Sequence, residues 1–492
     1  MEMSLRSCLG RGALAAAFFL QPLFAQDAGS LTQLPNGKLL GTIPGNPRRI
    51  NNLPTAAAIS PDGRFVVFLH SGYGAYTSGE KQSLSVLNLA ADELKDFPDD
   101  RLGSDAKQTY FLGLAFSLDG KHLFASMASL TDPLGKQKGS TGNGIAVYTF
   151  DDGRVTPERF LPLSPRLKIP HGKKRRAEFR DVTYPAGLSI AESGGQERLL
   201  VAGNHSDEAL LLNTSDGKIV RRFDLSTFKQ IPASLPYTTV ITKDGKRGFV
   251  SLWNASTIAE LDLVSGRVRR MVPLRKPSSS LAGGSHPTAL LLNPDNSRLF
   301  VALTDRDEIA VLDTATGEPI AYLSTKLPNQ QYGGSDPESL ALSPDGKTLY
   351  SANAISDSVA VFDLTNLATQ ESLQASAFIP TDWYPTAVVA TAKDLLIGSA
   401  KGRGSGPNPS PIKNDEARRR RALGLPLRCR SAACPRNRKC ARGRDSRWAT
   451  FWRCSRKSRR TLTTRGRRRT RRHYHRNCRA RRTGAPACAD SA

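Results

Sequence analysis

The sequence predicts an all-β fold, a seven-bladed β-propeller with an incomplete last blade, followed by an Arg-rich tail expected to be disordered. Three observations predict it. One turn signature recurs along the body, its copies at Asp244, Asp295 and Asp345 lying 51 and 50 residues apart. The runs flanking each turn are five to seven residues long and rich in Val, Leu, Ile and Phe, which is strand length and strand chemistry. About four short strands fit one such period, and four-stranded units repeated radially are propeller blades. A β-helix needs a shorter period, and paired sandwiches would not repeat one turn seven times.

The N-terminus reads as an export signal over residues 1–25. Arg6 and Arg11 form a basic region, Gly12–Leu20 is a short apolar stretch, and Ala25 stands before the cut at Gln26. The stretch is too short to span a bilayer comfortably, and no other segment is apolar enough to cross one. A periplasmic or secreted location follows.

The propeller is expected over residues 26–411. Each copy opens on a residue followed by Pro, continues in an apolar run, and turns. The first copy is Leu53-Pro54, AAAIS, a turn at Pro61-Asp62-Gly63-Arg64, then FVVFL. Further turns fall at Asp119-Gly120, Asp244-Gly245, Asp295-Asn296 and Asp345-Gly346. A degenerate copy runs from Tyr184-Pro185 through Gly194-Gly195, and the last runs from Tyr384-Pro385 to Lys393-Asp394. Asp-Gly and Asn-containing pairs supply the positive φ that a tight hairpin needs. Nothing between Gln26 and Arg428 is a cysteine, so this body depends on burial and sheet hydrogen bonds. Outer strands of the last copy are not legible after Pro411. Lys38–Ile43 is expected to return as its outermost strand, leaving one middle strand missing and an open sheet edge.

The net charge of +26 is misleading as a whole-chain figure. Residues 417–492 carry 27 Lys+Arg against 2 Asp+Glu, leaving 43 and 42 in the rest, so the body is near neutral. Cys429, Cys434, Cys440, Cys454, Cys478 and Cys488 all fall in this tail too. Three readings of residues 412–492 compete: a basic arm for nucleic acid or another polyanion, a zinc module, and an out-of-frame stretch of GC-rich coding sequence. His473 and His475 are separated by one residue, and only Cys429 and Cys434 form a close pair, which disfavours zinc. The abrupt compositional break favours the out-of-frame reading.

The innermost strand of each blade opens at one mouth of the channel, so the residues that begin each copy form the candidate ligand site: Tyr184, Tyr237, His286, Asp336, Trp383 and Tyr384, with Leu53 beside them. The residue before Pro is expected to be extended. Asn204, Asn254 and Asn353 recur at one place in their copies and read as structural, and Trp253 as packing. Asp305 and Asp307 lack the alternation of oxygen ligands that a calcium loop shows. Lys173-Lys174-Arg175-Arg176, in an insertion over 130–181, reads as a solvated run. No nucleophile elbow, phosphate-cradling loop or zinc-protease motif is present, so no catalytic residue, metal or cofactor is assigned.

SPDGRFVVFL at Ser60, SPDGKTLYSAN at Ser343 and VAVFDL at Val359 resemble the YVTN-type repeats of bacterial exported propellers, over about 350 residues. FIPTDWYPTAVVA from Phe378 and KGRGSGPNP from Lys401 resemble the last blade of a subgroup fused to a phosphoesterase of the alkaline-phosphatase superfamily. The resemblance implies an exported module that binds an unidentified protein or small molecule at its mouth. It leaves two alternatives: the propeller of a phosphoesterase whose catalytic half is missing, and a lactonase-type enzyme, against which stands the lack of a clear Arg or Glu beside His286.

Overall fold

The computed structural model describes residues 43–402 except 46, 52, 72–81, 103–106, 164–181, 228–232, 276–282, 366 and 368–371, together with the short strands Thr32–Gln33 and Leu39–Leu40. The export signal, the basic insertion run and the Arg-rich tail lie outside the described residues. No helix among the described residues is long and apolar enough to cross a membrane.

Six antiparallel blades follow one another. Blade 1 holds Pro54–Ile59, Phe65–His70, Ser83–Asn88 and Glu93–Pro98. Blade 2 holds Thr109–Phe116, His122–Ala128, Gly144–Asp151 and Arg154–Pro162. Blade 3 holds Pro185–Ser193, Gln196–Gly203, Glu208–Asn213 and Ile219–Asp224. Blade 4 holds Pro236–Ile241, Arg247–Leu252, Thr257–Asp262 and Arg267–Pro273. Blade 5 holds Pro287–Leu292, Arg298–Leu303, Glu308–Asp313 and Pro319–Ser324. Blade 6 holds Pro337–Leu342, Thr348–Asn353, Ser358–Asp363 and Ala377–Pro380. A seventh unit, here blade 7, has two described strands, Trp383–Ala390 and Leu395–Gly402.

The recurring turn joins the first two strands of each blade, and its chemistry explains its recurrence. In blade 1 the Ser60 hydroxyl donates to the Asp62 carboxylate at 2.6 Å, which also accepts the Arg64 amide at 3.0 Å, while the Phe65 amide donates back to Ser60 Oγ. Ser117/Asp119, Thr242/Asp244 and Ser343/Asp345 repeat the arrangement. These bonds to the anion, with the Arg64 guanidinium, hold the Asp62 carboxyl down at about 2. Gly63, Gly120, Gly245, Asn296 and Gly346 take the positive φ the turn requires.

The ring closes through its innermost strands and the apolar layers between blades. The Thr55 hydroxyl bonds the Phe111 carbonyl of blade 2, Thr238 bonds Thr288 of blade 5, Thr288 bonds Pro337 of blade 6, and Thr386 of blade 7 bonds Pro54 of blade 1. Gly113 and Gly187 let adjacent strands approach where a Cβ would meet Ala186 O at 2.3 Å and Thr238 Cα at 2.5 Å. Phe124, Ile145, Val201 and Leu210 pack between blades 2 and 3, and Phe249, Leu299 and Val301 between blades 4 and 5. Ala387 of blade 7 meets Val66 and Phe68 of blade 1, and Val388 meets Ala341 and Ala352 of blade 6.

Two expectations are corrected. The described part of Lys38–Ile43 that forms a strand, Leu39–Leu40, pairs with Thr32–Gln33 in a separate two-stranded sheet and not with blade 7. Five of the six residues before the opening prolines are not extended: Leu53, Leu235, His286, Asp336 and Tyr384 take φ between 46° and 67°, and a bulge follows the Pro in each of these blades. A further strand, Ser372–Gln374, lies parallel on Pro319–Ser324 and covers that edge of blade 5.

Candidate ligand-binding site at the channel mouth

Aspartates of the preceding blade hold several of the strained entry loops. Asp207 accepts the amides of Ala233, Ser234 and Leu235 ahead of blade 4. Asp307 accepts those of Gly334, Ser335 and Asp336 ahead of blade 6, at 2.7–3.1 Å. Asp357 accepts the Tyr384 amide ahead of blade 7, and Ser256 accepts the Ser285 amide ahead of blade 5. Such amide bonds to an anion offset the cost of the left-handed backbone, about 1 kcal/mol or more per residue. Asp307 is therefore a loop clamp. Asn204, Asn254 and Asn353 bond carbonyls of Pro236, Ala233 and Thr325, which bears out their structural reading.

The clamps bring side chains from several blades to one place. His286 Nδ1 meets the Asp305 carboxylate at 2.5 Å, and its ring stacks on Trp253 at 4.1 Å between centroids. Trp253 is thus part of the mouth as well as packing. The Tyr384 hydroxyl hydrogen-bonds the Asp336 carboxyl across blades 6 and 7. Tyr237 is held well above the usual phenol range by burial, with the charges of Glu338, Tyr384 and Asp336 adding to it. Phe111 joins Tyr237 edge-on to Tyr184, which also packs edge-on against His205. Burial lowers His205 and raises Tyr184, so both sit as neutral packing groups. Lys401 lies over the rings of Trp383 and Tyr384, at 4.8 and 4.0 Å.

Tyr237, His286, Asp336 and Tyr384 therefore converge. Tyr184 joins through Phe111, and Trp383 flanks the group under Lys401. Sequence reasoning missed Glu338. It stands one residue after Pro337, where Thr55, Thr288 and Thr386 occupy the same place in their blades and bond a neighbouring strand. The same place holds Ala186 in blade 3 and Tyr237 in blade 4, so Glu338 is the one acid at a position otherwise filled by Thr, Ala or Tyr, a signal that lies in the repeat itself. Burial first, then Asp336 and Asp305, push the Glu338 carboxyl up to about 8. Burial, then Asp305 and Asp307, push Asp336 up to about 6. The mouth thus holds a carboxyl protonated at neutral pH beside one that is ionised. No cluster of metal-ligand type occurs among the described residues.

The comparisons agree with this architecture. A family model described as lactonase, seven-bladed β-propeller, matches residues 263–380, the segment that carries His286, Asp305, Asp336 and Glu338. The chain is similar to the periplasmic gluconolactonase of Pseudomonas aeruginosa at 16% identity and a TM-score of 0.50, over 75% of this chain and 98% of that one. It is also similar to virginiamycin B lyase from Staphylococcus aureus at 14% identity and a TM-score of 0.47, over 71% and 94% of the two chains. No curated protein matches in sequence. The chain is an all-β propeller, and the likeness to the gluconolactonase extends to the fold.

Proposed function

We propose that this chain is an exported propeller that binds a small polar ligand at its channel mouth, through Tyr237, His286, Asp336, Glu338 and Tyr384. The observation that carries the reading is the meeting of groups from blades 4, 5, 6 and 7 on clamped, strained loops, with two carboxyls raised. Backbone strain held by dedicated bonds at one rim supports a selected arrangement. The ligand presents a hydrogen-bond acceptor or a positive charge to the carboxyls and an apolar face to Tyr237 and Trp253. Trp253 and Trp383 both flank the mouth, so quenching of intrinsic fluorescence that is lost in Trp253→Phe reads it, with Trp448 and Trp452 giving a constant background. A panel of sugars, sugar lactones and organic amines should contain a saturable quencher whose effect Asp336→Asn weakens at least about tenfold. A panel without any saturable quencher counts against the site.

Opening of a lactone ring is a second reading, favoured by Glu338 and by the family match over its segment. The carboxyl at about 8 is suited to protonate the departing ring oxygen, while ionised Asp336 takes a proton from attacking water. Hydrolysis of a δ-lactone that rises through pH 6 and falls above pH 8, and that Glu338→Gln abolishes, would establish this reading. Binding without turnover would leave the mouth a recognition site.

A further inference from the structure

We infer a second site, for a small organic anion, on the outer flank of blade 5. A cavity of about 700 Å³ opens there, floored by Ile320 and Tyr322 and bordered by the added strand Ser372–Gln374. Its charged lining is Arg275, Arg306 and Lys326 against Glu308 alone. Glu308 is already committed: Arg275 Nε and Nη2 donate to its two oxygens at 3.0 and 3.4 Å. The same guanidinium lies 3.7 Å over the Tyr322 ring, which fixes it between acid and aromatic face.

Two cations remain with unused donors. Arg306 gives Nη2 to the Gly283 carbonyl at 2.9 Å, while its Nε is buried without a hydrogen-bond partner. Lys326 is half-buried and makes no hydrogen bond or ion pair among the described residues. Leaving Arg306 Nε buried and unmet costs about 1–3 kcal/mol, a cost that a bound anion removes, and Lys326 adds a second positive charge to the same cavity.

Blade 3 shows why the cavity is particular to blade 5. There Glu208 opens the third strand as Glu308 does, and Arg222 of the fourth strand bonds it at 2.9 Å. Arg222 pairs across from Leu210 in the register in which Tyr322 pairs across from Ala310. Tyr in place of Arg removes the local partner, brings Arg275 over from blade 4, and leaves the space between Tyr322 and Lys326 open. The ligand is a carboxylate or phosphate monoanion whose charged group meets Arg306 and Lys326 and whose body rests on Ile320 and Tyr322.

The test is photolabelling of the full chain with 4-azidobenzoate, followed by peptide mass spectrometry, which separates this flank from the Arg-rich segment. The expected label falls within 306–326 or 372–374 and is displaced by excess benzoate. Lys326→Gln lowers it at least about fivefold while the melting temperature is unchanged, and inorganic phosphate competes with the label. Glu308→Gln, which frees Arg275, raises labelling, an effect that misfolding would not produce. Label confined to 417–492, or label on this flank that neither Lys326→Gln nor Glu308→Gln alters, overturns the proposal.

Discussion

Replacing Glu338 with Gln isolates one proton in the fold. The Glu338 carboxyl ionises at about 8 in the native state against an ordinary value of 4.5, so the native protein binds that proton more tightly than the unfolded chain. Stability from this group is therefore complete below the unfolded value and is lost as pH rises towards about 8. Asp336 behaves in the same sense, but its window ends at about 6. Between pH 6 and 8 the slope belongs to Glu338 alone of the pair. A full proton of difference costs about 1.4 kcal/mol per pH interval. Glu338 is half-buried, so the expected loss across that window is about 2 kcal/mol once solvent screening is allowed for. Urea unfolding followed by tryptophan fluorescence, at pH 6, 7 and 8, measures it. The wild-type midpoint falls over this range, and Glu338→Gln differs by losing that fall and by keeping below pH 6 only the slope that Asp336 contributes. Equal slopes for the two proteins between pH 6 and 8 would refute the claim that the mouth holds Glu338 protonated.

Two further substitutions test what holds the ring together. Glu260 is 1% exposed and meets Arg247, Arg269 and Arg270, so Glu260→Gln removes the counter-charge the three share, although Arg247 and Arg270 keep carbonyls of Thr314 and Ala315 and Arg269 keeps water; the expected loss is about 1–3 kcal/mol, read from urea midpoints. Gly187→Ala drives a methyl to 2.5 Å from Thr238 Cα, between the innermost strands of blades 3 and 4, and should cost about 3 kcal/mol or more, whereas Gly283→Ala meets nothing within 4 Å and should stay within about 0.5 kcal/mol by thermal melting.

The blade order was legible because local chemistry carries it. A Ser or Thr two residues before Asp, followed by Gly and a basic residue, closes its own hydrogen bonds, so Ser60–Arg64 and Ser343–Lys347 read correctly without knowledge of the rest of the chain. The mouth was half legible. Tyr237, His286, Asp336 and Tyr384 follow from their place at the start of a strand. Glu338 was missed because it sits inside a strand, where only its deviation from the Thr, Ala and Tyr of other blades marks it. The positive φ of the pre-proline residues was invisible for a different reason. Local sterics favour extended backbone, and the clamps that override them, Asp207, Asp307 and Asp357, lie 27 to 29 residues upstream. Ser372–Gln374 escaped notice because a three-residue parallel pairing leaves no periodic trace.

The unequal ring has a mechanical consequence. Blades 2 to 5 are each held on both sides by a neighbour with four strands, so removing any one of them means tearing two broad apolar seams. Blade 7, with two described strands, meets blade 1 over a small patch around Phe68 and Ala387 and the Thr386 bond to Pro54. Heat or force should find that seam first. The product is then an opened horseshoe in which blade 7 stays on blade 6 through Val388 and the Tyr384 bond to Asp336, so the groups of blades 4 to 7 remain together while the channel that encloses them opens. In such a molecule the enclosure of the mouth is the first property to go, well before the sheets themselves.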